Sequence, residues 1–251
     1  MQYTLKKSLG QHFLTDSSIC KKINDVLLAT HFSQLVEVGP GGGALTSYLL
    51  QIPGIQFKAI ELDAEKVAFL LSTFPTLHQK IIEGNILDVD VPFEGDFTVI
   101  GNFPYNISTQ IVFKILDWKL QVPMMIGMFQ KEVAERIVSK PNTKVFGILS
   151  VLVQAYYDAE YLFDVPAAAF NPPPKVVSGV IQLTRKKEPI AVKSDKLFFM
   201  LVKAAFNQRR KMLRNPLKPY FDESVLQEEI FTKRPEQLSV EDFAALTFRM
   251  K

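Results

Sequence analysis

Short apolar runs, each closed by a glycine, an acid or an asparagine, alternate along this chain with stretches in which apolar residues recur every three or four positions. The runs at residues 35–38, 57–60, 80–83, 97–100 and 124–128 have the β-branched and apolar character of strands buried on both faces, and 155–161 and 176–183 read as two later strands. Between them lie helical patterns. Ile19, Ile23, Val26 and Leu27 follow a cap at Asp16 or Ser17; Ala44, Leu45, Tyr48, Leu49 and Leu50 form a second helix; Val67, Phe69, Leu70 and Leu71 follow Asp63 and end at Pro75. This alternation predicts an α/β fold, a doubly wound parallel sheet with helices on both faces and ligands at the carboxyl ends of the strands. Residues 184–190, with three adjacent bases and a proline, are the candidate linker. Beyond them Leu197, Leu201, Ala204, Val225, Leu226, Ile230, Phe243 and Leu246 keep only helical spacing, which divides the chain into a sheet domain, 1–186, and a small all-helical domain, 187–251.

The first strand runs into the glycine cluster Gly39, Gly41, Gly42 and Gly43, where the backbone can take φ > 0 and approach a ligand. Glu61 closes the second strand about 20 residues after Gly41, the interval at which an acid meets ribose hydroxyls in nucleotide-binding folds. Gly39, Gly41 and Ala44 also satisfy the dinucleotide pattern G-x-G-x-x-A, so a nicotinamide or flavin enzyme accounts for this stretch equally well, and a ligand-free turn remains open. Glu37 is placed to hold a loop amide or a substrate amine, or to be a solvated strand end.

Composition narrows the class. With 251 residues, 47% of them hydrophobic, the chain can bury a sizeable core. No apolar span approaches the ~18 residues of a membrane helix, and the first residues lack the apolar centre of a signal peptide, so a cytoplasmic protein is expected. The single Cys20 excludes an intramolecular disulfide, and His12, His31 and His78 are too scattered for metal-ligand spacing, so no metal is expected. The net charge of +3 hides an asymmetry: from Arg185 to Lys218 eleven Lys or Arg face only Glu188 and Asp195, a net of +9. Such concentration points to a polyanion-binding surface, against the plainer reading of solvated helix faces.

Asn102-Phe103-Pro104-Tyr105 places an amide, a proline-restricted backbone and an aromatic ring at the end of the fourth strand. Each suits one need of methylation at an adenine amine, a poor nucleophile whose lone pair is delocalised into the ring. The Asn102 side-chain oxygen and the Phe103 carbonyl can each accept one amine N–H, leaving the lone pair aimed at a methyl donor without a strong base. Pro104 directs the preceding carbonyl, and Tyr105 can stack on a base swung out of its helix. Alone, the tetrapeptide also fits a turn with a buried tyrosine.

GPGGGALT, IELD and NFPYNIST resemble the motifs of class I S-adenosylmethionine-dependent methyltransferases acting on adenine. GQHFL, FQKEVAERI, FNPPPKV and FNQRRKMLRN resemble those of the ribosomal RNA adenine dimethyltransferases, and the likeness runs from about Lys6 to Asn215. The resemblance implies a Rossmann-like fold with S-adenosylmethionine as methyl donor and two adjacent adenosines in a hairpin loop of small-subunit ribosomal RNA as substrate, within a pre-ribosomal particle, and it implies a monomer. It implies cofactor contacts at His12, Leu14, Gly39, Gly41, Glu61, Asn85 and Asn102, and a Phe170 that closes on the target base opposite Tyr105. Relatives commonly carry Asn at position 12, Asp at 85 and Leu at 103, where this chain has His12, Asn85 and Phe103. Lys175, Arg209, Arg210, Lys211 and Arg214 are the expected RNA contacts, Arg210 and Arg214 sharing a face if they lie on one helix. The competing readings are a large-subunit, resistance-type methyltransferase and an RNA-binding assembly factor in which methylation is secondary.

Overall fold

The computed structural model describes residues 12–251; the basic lead-in Lys6, Lys7, Gly10 and Gln11 lies outside the described residues. Contacts divide the chain into two compact units, Met1–Ala134 with Glu160–Thr184, and Glu135–Ala159 with Arg185–Lys251. Residues 135–159, assigned to the sheet domain on sequence grounds, thus group with the C-terminal helices.

A two-residue strand β1 (Phe13–Leu14) leads into α1 (Ser17–Leu28), whose Asp16 cap accepts the Ser18 N–H. Then follow β2 (Gln34–Val38), α2 (Thr46–Leu49), β3 (Gln56–Glu61), α3 (Ala64–Thr73), β4 (Ile81–Glu83), β5 (Thr98–Asn102), α4 (Ser108–Asp117) and β6 (Met124–Gln130). Next come α5 (Lys131–Val138), α6 (Ile148–Gln154), β7 (Tyr157–Val165), β8 (Phe170–Asn171) and β9 (Ser178–Arg185). The remainder is helical: α7 (Asp195–Asn207), α8 (Arg214–Leu217), α9 (Glu223–Leu226) and α10 (Val240–Thr247), with one 3-10 turn between α8 and α9 and two between α9 and α10.

The main sheet has seven strands in the order β4-β3-β2-β5-β6-β9-β7. From β2 the chain winds outward through β3 to β4, then returns to place β5 on the other side of β2. Such a reversal leaves a crevice beyond the carboxyl ends of β2 and β5. All strands expected from the apolar runs form, and β2 to β6 pair in parallel. The purely parallel expectation is corrected at β9, which pairs antiparallel with β6, Met124 opposite Thr184 and Gln130 opposite Ser178. Strand direction depends on the route of the preceding chain and leaves no mark on an apolar run.

Two glycines open space inside this sheet. A Cβ on Gly127 of β6 would stand 2.4 Å from the Phe103 ring, and one on Gly101 of β5 would stand 2.4 Å from the Val38 carbonyl oxygen. The Phe103 ring occupies the slot beside Gly127 and meets Phe129 edge-on at 5.1 Å between centroids. The Phe103 ring therefore anchors the tetrapeptide within the sheet.

In the second unit, Phe198, Leu201, Val202 and Ala205 form the buried face of α7, and the Phe206 ring packs against Phe243 of α10 and Phe146. α7 ends at Asn207 and α8 begins at Arg214, so Arg210 and Arg214 do not share a helical face. The helical expectation fails there because Gln208 takes non-helical dihedrals and a turn follows.

Candidate functional site

The strand-end residues named from sequence meet at one open cleft of about 180 Å³. It is lined by His12, Leu14, Gly39, Gly41, Glu61, Asn85 and the whole tetrapeptide from Asn102 to Tyr105. Gly39 and Gly41 have φ of 71° and 56°, a backbone that side chains disfavour, and a Cβ on Gly41 would lie 2.9 Å from the Phe13 ring. Phe13 thus covers the glycine loop. Gly39 in turn faces Pro104, whose Cδ would lie 3.7 Å from a Cβ built there, so the glycine loop and the tetrapeptide adjoin across the switch point.

Glu61, 7% exposed at the tip of β3, accepts the Gly41 N–H at 3.1 Å and the Asp63 N–H at 3.0 Å. Burial raises its carboxyl above the ordinary value, and these two N–H donors pull the other way. A carboxylate so held is a ready acceptor for the vicinal hydroxyls of a ribose. Behind it the buried Lys66 ammonium pairs with Asp63 at 3.3 Å and sits 4.9 Å from the Phe13 ring centroid. A charge this far from water persists only when paired, and here the pair pins the start of α3 beneath the cleft. Sequence reasoning missed Lys66 and Phe13; the one available signal was a lysine three residues after a helix-capping aspartate.

Glu37, 2% exposed at the end of β2, accepts the Thr46 hydroxyl at 2.7 Å. Burial pushes its carboxyl up to about 8, against the Thr46 hydrogen bond and with help from the nearby Glu61 charge. The folded protein therefore keeps a proton that the unfolded chain, with this group near 4.5, gives up. Between those values the folded state binds more protons, so the stability Glu37 contributes is whole below the lower value and is lost as pH rises through the upper one. Glu37→Gln, neutral at every pH, is expected to flatten the fall in melting temperature between about pH 5 and pH 8. An unchanged slope in thermal scans across that range would assign Glu37 an ordinary carboxyl.

The Asn102 amide is oriented by the lead-in. Its Nδ2 donates to the His12 carbonyl at 3.0 Å; a carbonyl only accepts, which fixes which end of the amide is the donor and leaves Oδ1 as the acceptor of a residue that lines the cleft. The Pro104 and Tyr105 carbonyls accept from the Ile107 N–H and the Ser108 hydroxyl, while the Phe103 carbonyl has no such bond among the described residues. Asn102 Oδ1 and Phe103 O are thus two acceptors beside the cleft. The Tyr105 ring lies 5.5 Å from the His12 ring, and its hydroxyl is hydrogen-bonded to the Ser178 hydroxyl. Burial raises the Tyr105 phenol above its ordinary range. The His12 Nδ1 donates to the Pro172 carbonyl at 2.8 Å.

Other expected site residues stand elsewhere or are already engaged. Asn85 lines the cleft, but its Oδ1 accepts the Leu87 N–H and its Nδ2 donates to Asp88, so each end of the amide keeps one further bond. Phe170 pairs opposite Leu14 in the β1–β8 ribbon; it is 3% exposed, belongs to the hydrophobic core and does not line the cleft. Lys175 is exposed. Arg209 is already engaged: its Nη2 donates to the Lys144 carbonyl at 2.5 Å, and its Nε lies 3.9 Å from Glu236. Arg214 is half-buried against the Met212 sulfur, whereas Arg210 and Lys211 are exposed. No cluster of three or more metal-ligating side chains occurs among the described residues, and no helix there is long and apolar enough to cross a membrane.

Strand order, switch point and strand-tip chemistry are those of a Rossmann-like class I methyltransferase. Two solved structures share the fold: a dimethyladenosine transferase from Plasmodium falciparum, with a TM-score of 0.73 at 23% identity over 92% of this chain and 94% of that one, and the 23S rRNA methyltransferase ErmE, with 0.69 at 21% over 93% and 99%. Sequence narrows the class further. The family model for ribosomal RNA adenine dimethylase matches residues 2–248, and the chain belongs to that family. Among curated relatives, the ribosomal RNA small subunit methyltransferase A of Flavobacterium johnsoniae is 52% identical, covering 98% of this chain and 95% of its own length. The protein of the same name from Porphyromonas gingivalis is 47% identical over 100% of this chain and 99% of its own.

Proposed function

We propose that this chain methylates the exocyclic amines of two adjacent adenosines in a hairpin loop near the end of small-subunit ribosomal RNA, using S-adenosylmethionine. The observation that carries the reading is the Asn102 amide, held by the His12 carbonyl in the lining of the strand-end cleft, in a chain of the rRNA adenine dimethylase family. The cleft fits the cofactor's nucleoside half, with an acceptor carboxylate at Glu61 and a glycine loop closed by Phe13. When bound, S-adenosylmethionine supplies a methyl on a positively charged sulfur. The chain does the positioning: Glu61 holds the ribose, Asn102 Oδ1 and Phe103 O accept the two amine hydrogens, and Tyr105 stacks on the unpaired base. No residue need remove the proton before the carbon–nitrogen bond forms. Asn85 adds an acceptor for the cofactor's adenine, and Phe170, buried in the core, would have to leave it to touch a base.

RNA docking in the second unit falls to the exposed Arg210 and Lys211, while Arg209 serves its own unit; Lys175 is the exposed candidate of the first unit. The reading places the protein in the cytoplasm as a monomer acting on a pre-ribosomal particle. Its test is incubation with labelled S-adenosylmethionine and unmethylated small or large ribosomal subunits. Label on adjacent adenines of the small-subunit RNA is expected; label confined to the large subunit, or none, would overturn it. Replacing Arg210 and Lys211 together by Gln should flatten the salt dependence of RNA affinity by up to about two units with the melting temperature unchanged. Arg209→Gln should do the reverse, lowering the melting temperature with the slope kept. A salt series with melting curves checks both.

A further inference from the structure

The tetrapeptide is held from two directions, and the second hold comes from a residue with no part in the cofactor cleft. Ser178 is the first residue of β9 and is fully buried. Its Oγ lies within hydrogen-bonding distance of the Tyr105 hydroxyl, 73 residues away in sequence. The strand fixes where that oxygen sits. Ser178 pairs opposite Gln130 of β6, the preceding Val177 carbonyl accepts the Lys131 N–H at 3.0 Å, and the following Gly179 lies so close to the Tyr161 ring that a Cβ there would be 2.4 Å from its hydroxyl oxygen. The serine has little freedom to move with its partner, so the tyrosine must conform to it.

We propose that Ser178 is a positioning residue for methyl transfer: by tethering the Tyr105 hydroxyl, it sets the plane of the ring on which the target base stacks. The inference rests on the proposed stacking role of Tyr105. A phenol half-buried beside His12 can pivot about its side-chain torsions, and one hydrogen bond at the far end of the ring removes that freedom where it has the longest lever. The ring face is then presented in one orientation before the RNA arrives. Asn102, tethered by the His12 carbonyl, is held in the same way, so both groups that would meet the adenine are preset by neighbours distant in sequence.

The experiment separates positioning from packing. Ser178→Ala and Tyr105→Phe each leave one hydroxyl without its partner and should lower the melting temperature; the double variant removes both and should recover most of that loss, since deleting both partners of a buried hydrogen bond is nearly neutral. Turnover on unmethylated small subunits, with labelled S-adenosylmethionine saturating, is expected to fall roughly two- to tenfold in each single variant, the rate equivalent of one neutral hydrogen bond. It should stay equally low in the double variant, while cofactor affinity is unchanged in Ser178→Ala, whose residue does not line the cleft. Turnover that recovers along with the melting temperature would reduce Ser178 to a packing residue and overturn the proposal, as would normal turnover in Ser178→Ala. Tyr105→Ala tests the underlying reading separately. If it retains turnover, the ring does not hold the base and the stacking role fails; if it loses turnover while Ser178→Ala does not, stacking stands and the tether is rejected.

Discussion

Asn102→Ala is expected to lower methyl transfer by on the order of a hundredfold or more at saturating cofactor and RNA, because geometry that turns a delocalised amine into a nucleophile is worth several kcal/mol of barrier. The substitution removes the side-chain acceptor that Asn102 brings to the tip of β5 and, with it, the bond to the His12 carbonyl. The sheet should survive: Asn102 is half-buried at a strand end, while the core around it is built by Ile100, Phe103 and Phe129. Asn102→Asp sharpens the test. A carboxylate there would point one oxygen at the His12 carbonyl, acceptor against acceptor, so the near-isosteric change should also abolish turnover by breaking the tether. Near-normal turnover of the alanine variant, with melting and cofactor binding intact, would remove Asn102 from the mechanism.

Glu61→Ala should weaken cofactor binding by roughly ten- to a hundredfold, the range for hydrogen bonds to a charged group, and lower saturated turnover much less. Two effects add in the same direction. The ribose loses its acceptor, and the N–H groups of Gly41 and Asp63 lose theirs, which releases the glycine loop from the tip of β3. Glu61→Gln divides them, since its single amide oxygen can serve one N–H but not both. Calorimetric titration with S-adenosylmethionine measures each; an unchanged affinity in the alanine variant would show that Glu61 only braces the loop.

Much of the lining of the strand-end cleft was legible in the chain itself. Gly39, Gly41, Glu61 and Asn102 follow apolar runs directly, so once those runs form parallel strands every one of these residues arrives at the same edge of the sheet. Local signals sufficed: side-chain character for the strands, φ > 0 for the glycines and position after a strand for the polar groups. What holds those groups in place was not legible. The β1–β8 ribbon has two residues in each strand, too few for any periodicity, yet it brings His12 to Asn102 and buries Phe170. The antiparallel β9, the tether from Ser178 to Tyr105 and the capture of Arg209 by Lys144 and Glu236 each join residues that no local pattern links. The same holds for residues 135–159, whose apolar positions suit either unit and which join the C-terminal helices by tertiary contacts alone. A strand or a turn is selected by the residues that form it, whereas a tether is selected by whichever distant group the completed fold brings within about 3 Å, and only the folded chain contains that distance.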